Sequence, residues 1–211
     1  MIRAYDEVYL KNARSVLANS LDYATYALGY DPDVYYKMFI KCDLARKLEK
    51  GNPFIVAGMS GIELALRVVE KATGRYDPAD RTVRLAKSRE YWAGWAIAYY
   101  QWYSSCNLML LEEQVPFNSI RLMYDKYHEM DICHFVEDIN KMRMENRLSC
   151  YLKLYREMKG LSQSGLARLA DVPVRTLQQY EQGAKSLDKA NVNYVLSLAK
   201  ALGCSPEELL Q

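Results

Sequence analysis

The sequence predicts an all-α protein: an N-terminal helical bundle over residues 1–146 and a smaller five-helix domain over residues 147–211. Three observations carry this. Apolar residues recur at spacings of three and four almost throughout, the period of a helix with one buried stripe. Gly and Pro residues stand at the breaks between these periodic stretches, where helices end and restart. No segment shows the apolar–polar alternation of a half-buried strand.

Composition bounds the rest. Of 211 residues, 50% are apolar and 26% charged, with 10 Gly and 6 Pro, which fits a globular chain with ample core and excludes disordered and collagen-like classes. No stretch approaches 18 uninterrupted apolar residues and the first residues lack a signal peptide's apolar run, so the expected location is cytoplasmic. Cys42, Cys106, Cys133, Cys150 and Cys204 are scattered, with no CxxC pair to suggest zinc or a disulfide framework. They are expected as small, partly buried hydrophobes. Net charge is +2, too small to mark a nucleic-acid binder. Its distribution says more: residues 147–211 hold nine Lys/Arg against six Asp/Glu, leaving 19 and 20 in residues 1–146.

In the N-terminal region, Tyr9, Ala13, Val16, Leu17, Leu21, Ala24 and Leu28 form one stripe on a long first helix that Gly29 should end. Asp31 caps a second helix with Pro32 in its first position. Gly51-Asn52-Pro53 breaks the chain again, and Ser60-Gly61-Ile62-Glu63 forms a capping box for a helix through about Ala72. The glycine-rich turn from Gly51 to Gly61 fits tight packing, with an anion-binding nest as the alternative. Gly74 to Lys87 is the best loop. YWAGWAIAYYQWY then predicts a helix apolar nearly all round, running to Pro116 and suited to a bundle centre or a partner interface. Asn118-Ser119 starts a shorter helix, and residues 127–146 are helical. The adjacent acids Glu112-Glu113 and Glu137-Asp138 are expected on solvated surface.

The last third is more specific. A first helix ends at Gly160, and Ser162 caps a second whose Leu166, Ala167 and Ala170 face inward. Asp171-Val172-Pro173 turns into a third helix, Val174 to Tyr180, closed by Gly183. A fourth runs from about Asn191 to Leu202 and ends at Gly203, and Ser205-Pro206-Glu207-Glu208 caps a final turn. Two short helices joined by a tight turn, with a small residue at their closest approach, describe a helix-turn-helix. The residues GLSQ at 160–163, LA at 166–167 and 169–170, TLQQYEQG at 176–183 and LAKALGCSPEELL at 198–210 closely resemble the Cro/C1-type (XRE) helix-turn-helix family of phage repressors and bacterial regulators.

That resemblance implies a DNA-binding domain and places its residues. Gln163 falls where the family contacts a phosphate and braces the recognition helix. Val174, Arg175, Thr176, Gln178 and Gln179 lie at or beside the positions that reach base edges; Arg suits guanine and Gln adenine. Arg156 and Glu181 match a structural pair joining the first helix to the end of the third. Lys185 and Lys189, in a somewhat long loop, are candidates for phosphate contacts, with a solvated loop as the alternative. Pro173 departs from the family's Ser or Thr, removing a capping hydroxyl. The resemblance further implies homodimers on inverted-repeat double-stranded DNA.

Residues 1–146 contain no GxSxG, HExxH, P-loop or Rossmann motif, so no enzyme, cofactor or metal is expected; His128, Cys133 and His134 match no common zinc spacing. The aromatic helix and glycine turn resemble bacterial proteins that join such a bundle to an XRE domain, and more weakly antitoxins of toxin–antitoxin operons. That resemblance implies a partner toxin, with Tyr91, Trp92, Trp95, Tyr99 and Trp102 as interface candidates. The alternative is a one-component repressor whose bundle senses a ligand or dimerises.

Overall fold

The computed structural model describes residues 3–75, 87–146 and 151–210, and the chain divides into two compact units, Met1–Asn146 and Arg147–Gln211. All regular structure among the described residues is helical. Most of the expected loop after Gly74, residues 76–86, lies outside the described residues, as does Cys150.

In the N-terminal unit, α1 (Leu10–Tyr26) is the central element. Its Ala13, Val16, Leu17, Leu21 and Ala24 are buried, and the stripe's ends, Tyr9 and Leu28, are half-buried. The helix stops at Tyr26, three residues before Gly29, which takes a positive φ of 73° in the following turn. Asp31 caps α2 (Pro32–Lys41), accepting from the amides of Asp33 and Val34 at 3.0 and 3.1 Å. Next come α3 (Asp43–Glu49), α4 (Pro53–Val56) and α5 (Gly61–Thr73). Ser60 caps α5 through the Glu63 amide at 3.1 Å, while the Glu63 carboxylate accepts from Arg67 instead of closing a capping box.

The closest packing on α1 comes from α5 and α6 (Arg89–Ser104), and two glycines explain it. A Cβ on Gly61 would stand 2.4 Å from the Asn19 Cβ and 2.7 Å from the Val16 carbonyl. One on Gly94 would stand 2.7 Å from Leu21 Cδ1 and 2.9 Å from the Leu17 carbonyl. Only a residue without a side chain lets the helix backbones approach this closely. Gly61 is thus a packing residue, not part of an open anion nest.

The aromatic helix does not reach Pro116. It ends at Ser104, with Ser105 in the left-handed region at φ 54°. The side chain of Asn107 then accepts from the amides of Met109 and Leu110 and restarts the chain as α7 (Leu108–Gln114). Pro116 precedes α8 (Phe117–Leu122). The segment expected as one helix over 127–146 is also divided: α9 (Tyr124–Tyr127) is followed by α10 (Ile132–Glu145), capped by Asp131 through the Cys133 amide. Local capping side chains overrode a continuous apolar period in both places. Tyr35, Tyr36, Phe39, Tyr100, Phe117 and Phe135 are fully buried in the core, the phenylalanines each contributing roughly 1.5–3 kcal/mol relative to exposure.

The acidic pairs depart from expectation. Glu112 is buried, accepting from the Phe117 amide at 2.7 Å, and burial pushes its carboxyl up to about 7. Asp138 is half-buried under the Tyr127 hydroxyl and Lys126; Glu137 is exposed. Cys133 is exposed, whereas Cys106 is buried and Cys42 and Cys204 are half-buried.

The C-terminal unit consists of α11 (Tyr151–Met158), α12 (Gln163–Leu169), α13 (Val174–Glu181), α14 (Val192–Leu202) and α15 (Pro206–Leu209). Gly160 and Gly203 take positive φ values of 63° and 66° just past the ends of α11 and α14, as left-handed terminating residues do. Ser205 and Glu208 close a capping box, the Glu208 carboxylate accepting from the Ser205 amide at 2.6 Å. Leu152, Leu166, Leu177, Leu198 and Leu202, all fully buried, form its core.

Candidate nucleic-acid interface

Helix α13 is placed by packing on one side and left open on the other. Leu177, Tyr180 and Glu181 are buried, while Val174 and Arg175 are exposed and Thr176, Gln178 and Gln179 half-buried. The i,i+4 pairs Val174/Gln178 and Arg175/Gln179 form adjoining rows along the helix. The turn before it depends on Asp171, whose φ of 52° is one that Asp adopts at low cost, and on Val172, buried between the two helices' ends. Pro173 stands at the N-cap with no side-chain cap bond, as its lack of a hydroxyl requires. Ser162 caps α12 through the Gly165 amide at 3.0 Å.

A buried polar chain ties three helices together. Arg156 on α11 donates to Glu181 on α13 through Nε at 2.6 Å and through its second terminal nitrogen at 3.0 Å. The guanidinium also donates to the Leu161 carbonyl at 2.8 Å, and its bonds to Glu181 hold its pKa above the usual arginine value. The other lone pairs of Glu181 receive the Gln163 side-chain amide at 2.8 Å. Gln163 in turn accepts from the Gln178 amide at 3.3 Å. Both charged partners are buried, so the pair survives because each polar atom is met. Its consequence is geometric: α13 can neither roll nor slide without breaking several charge-assisted bonds.

Gln163, Gln178, Arg156 and Glu181 are therefore brought together. Val174, Arg175, Thr176 and Gln179 lie on the same α13 outside that chain. Lys185 is exposed in the loop after α13, where its amide donates to the Gln179 carbonyl at 3.1 Å and ties the loop to the helix end. Lys189 is exposed further on, in the 3-10 turn Leu187–Lys189. This is the arrangement a DNA major groove requires: a rigid helix with polar and basic side chains outward, and loop lysines near its end.

A family model for the helix-turn-helix matches residues 152–209. The C-terminal unit is a helix-turn-helix domain of the Cro/C1 type. The family is one of DNA-binding transcriptional regulators, and the domain carries that function. No curated protein and no solved structure matches the chain.

The aromatic helix α6 of the N-terminal unit divides differently from its sequence pattern. Trp92 and Trp102, expected in the partner-facing set, are core residues only 7% and 6% exposed. Trp92 packs edge-on against Phe135, and Trp102 donates its indole N–H to the Tyr5 carbonyl at 2.8 Å. Tyr91, Trp95 and Tyr99 are half-exposed and remain available. Their cationic neighbours escaped the sequence reading: the Arg14 guanidinium lies 3.3 Å from the Trp95 ring centre and 4.9 Å from that of Tyr99. Burial lowers the Arg14 pKa to about 10. Arg14 is four residues from Ala18 on a helix whose partner was unknown, so nothing in the sequence paired it with α6. Among the described residues no group of three His, Cys, Asp or Glu side chains could hold a metal, and no helix is long and apolar enough to cross a membrane.

Proposed function

We propose that this chain is a sequence-specific transcriptional regulator that binds an inverted-repeat operator as a homodimer through α13. The observation that carries it is the Arg156–Glu181–Gln163–Gln178 chain, which immobilises α13 while Val174, Arg175 and Gln179 stand outward. In this reading Arg175 and Gln179 meet base edges, Val174 meets a thymine methyl, and Gln163, Lys185 and Lys189 meet phosphates. The chain would act wherever the cell's DNA lies, in the cytoplasm. Operator fragments selected from a random-sequence library test it. Arg175→Ala should weaken binding by about 1–3 kcal/mol and relax one position of the site; unchanged affinity and sequence preference would remove Arg175 from the base-reading set.

For the N-terminal unit the leading reading is an antitoxin: the bundle neutralises a partner toxin and the C-terminal unit autorepresses their operon. The half-exposed Tyr91, Trp95 and Tyr99 support it as rigid interface anchors. A native pull-down with the full chain tests it, since an antitoxin recovers one co-encoded protein in stoichiometric amount. A specific observation also favours the one-component repressor: a cleft walled by aromatic side chains opens in the same unit.

A further inference from the structure

At the N-terminal end of α6 a cleft of about 330 Å³ opens beside α9, lined by Lys87, Tyr91, Trp92, Trp95, Tyr124 and His128. That volume is near the lower end for small-molecule sites, about 300–1,000 Å³, enough for a molecule of one or two rings. Its walls are flat and held in place. Trp92 stands edge-on to Tyr124, ring centres 5.9 Å apart at 79°. Tyr124 is stacked on His128 at 4.4 Å and 18°, and the His128 ring nitrogen is bonded to the Tyr124 carbonyl at 2.9 Å. Trp95 is fixed by the Arg14 guanidinium against its ring.

One cation at these rings stands without an ion pair. Lys87 places its ammonium 5.2 Å from the Tyr91 ring centre and has no carboxylate partner among the described residues. Arg89 lies over Tyr124 at 5.7 Å and neutralises Asp125, the acid of α9, at 2.8 Å. Glu129, beside His128 at 3.5 Å, is highly exposed. The buried carboxylates behind the wall are already engaged, Asp22 by the hydroxyl of the lining Ser88 and Glu90 by Arg121 and Tyr26. A cationic ligand would therefore meet Lys87 with no free buried carboxylate to receive it, and an aliphatic one would forgo stacking. A planar aromatic anion uses both features, with ring on ring and charge on ammonium.

We propose that this cleft binds a planar aromatic carboxylate, its ring against Trp92, Trp95 and Tyr124 and its carboxylate at Lys87. The site stands on its own geometry; a regulatory role for it rests on the one-component reading above. Calorimetric titration of the full chain with 2-naphthoate, and with neutral 2-naphthamide as its isostere, tests the site. One saturable site is expected, with the amide bound about tenfold more weakly. Lys87→Ala, at an exposed position before the helix, should cost about tenfold for naphthoate and little for naphthamide, whereas Trp95→Ala should weaken both. Absence of saturable binding, equal affinity for acid and amide, or indifference to Lys87→Ala would each overturn the assignment. The regulatory role is read separately, as the affinity for a library-selected operator with and without saturating naphthoate. A change supports the ligand-sensing repressor; an unchanged affinity removes that reading while the binding result stands.

Discussion

Glu112 gives the N-terminal unit a pH dependence whose sign runs against that of most carboxylates. Its side chain is 9% exposed, and the nearest cation, the Lys37 ammonium, lies 4.0 Å away and is engaged by Asp33 at 2.6 Å. Burial dominates, raising the carboxyl from 4.5 to about 7, with Asp33 adding to the rise and the Phe117 amide and Lys37 opposing it. A carboxyl with a raised folded pKa stays protonated in the folded unit after the unfolded chain has ionised. The folded state therefore holds the extra proton, and stability falls as pH rises between the two values. Integrating proton linkage from pH 5 to 8 gives a loss of about 2.5 kcal/mol. The other shifted carboxylates act elsewhere: Asp43, drawn down to about 2 by Lys71 and Lys47, contributes stability lost only as pH falls below its unfolded value. Glu112→Gln keeps a carbonyl for the Phe117 amide and cannot ionise, so its stability should stay flat across the window and exceed the parent's at pH 8. Urea denaturation followed by Trp fluorescence isolates the effect, because all three tryptophans, Trp92, Trp95 and Trp102, lie in the N-terminal unit. Parallel pH profiles for parent and variant, or a variant less stable at pH 8, would refute the reasoning.

Three further outcomes follow from the packing and charge. Glu181→Ala leaves the buried Arg156 guanidinium with only the Leu161 carbonyl and the exposed Glu157 carboxylate. It should cost the C-terminal unit about 3 kcal/mol, the low end for a buried charge that loses its partner. The check is an early thermal transition by circular dichroism with the Trp-monitored transition unmoved; a shift in the latter would place the effect in the wrong unit. Gly94→Ala drives a Cβ to within 2.7 Å of Leu21 Cδ1 and should destabilise the N-terminal unit by about 1–3 kcal/mol in the same urea assay, where a neutral result would contradict the helix contact. Lys185→Ala should weaken DNA binding evenly across sequences and reduce the salt slope by about 1, measured by fluorescence anisotropy at several salt concentrations.

The helix-turn-helix was legible because its signals are local. Gly160, Ser162, Pro173, Gly203 and the Ser205–Glu208 box act within a turn of helix, and the Arg156–Glu181 pair came with the family pattern. The family pattern also had Gln163 bracing the recognition helix; what it did not give was that the same side chain reaches Glu181, since a side chain's partners across three helices depend on their relative positions. In the N-terminal unit the α1 stripe was legible for the same local reason, and the division of the aromatic stretch was missed. Apolar periodicity runs on through residues 105–107, and the break depends on Ser105 adopting a left-handed conformation that Gly more commonly takes. Glu112 was misplaced because an acid beside an acid resembles surface; its burial follows from Phe117, beyond Pro116, presenting an amide to it.

The two readings of the N-terminal unit make different demands on one helix. Along α6, Arg14 covers Trp95 and Tyr99, and Arg3 lies 4.2 Å from Tyr103 and 4.7 Å from Trp102. A protein partner docking on Tyr99 must replace or extend these stacks, each worth about 0.5–1 kcal/mol where exposed. That cost is small beside a buried aromatic anchor at about 2 kcal/mol or more, so the cations favour a partner bearing carboxylates that can pair with them. The cleft at Tyr91, Trp92 and Tyr124 demands no such displacement, because its open space already lies between rings that other contacts hold. Arg14→Ala would therefore separate the two: it uncovers Tyr99 and weakens recognition of an acidic partner, but reaches the cleft only by freeing Trp95. A loss of partner capture with naphthoate binding retained would assign the middle of α6 to a protein and its N-terminal end to a ligand.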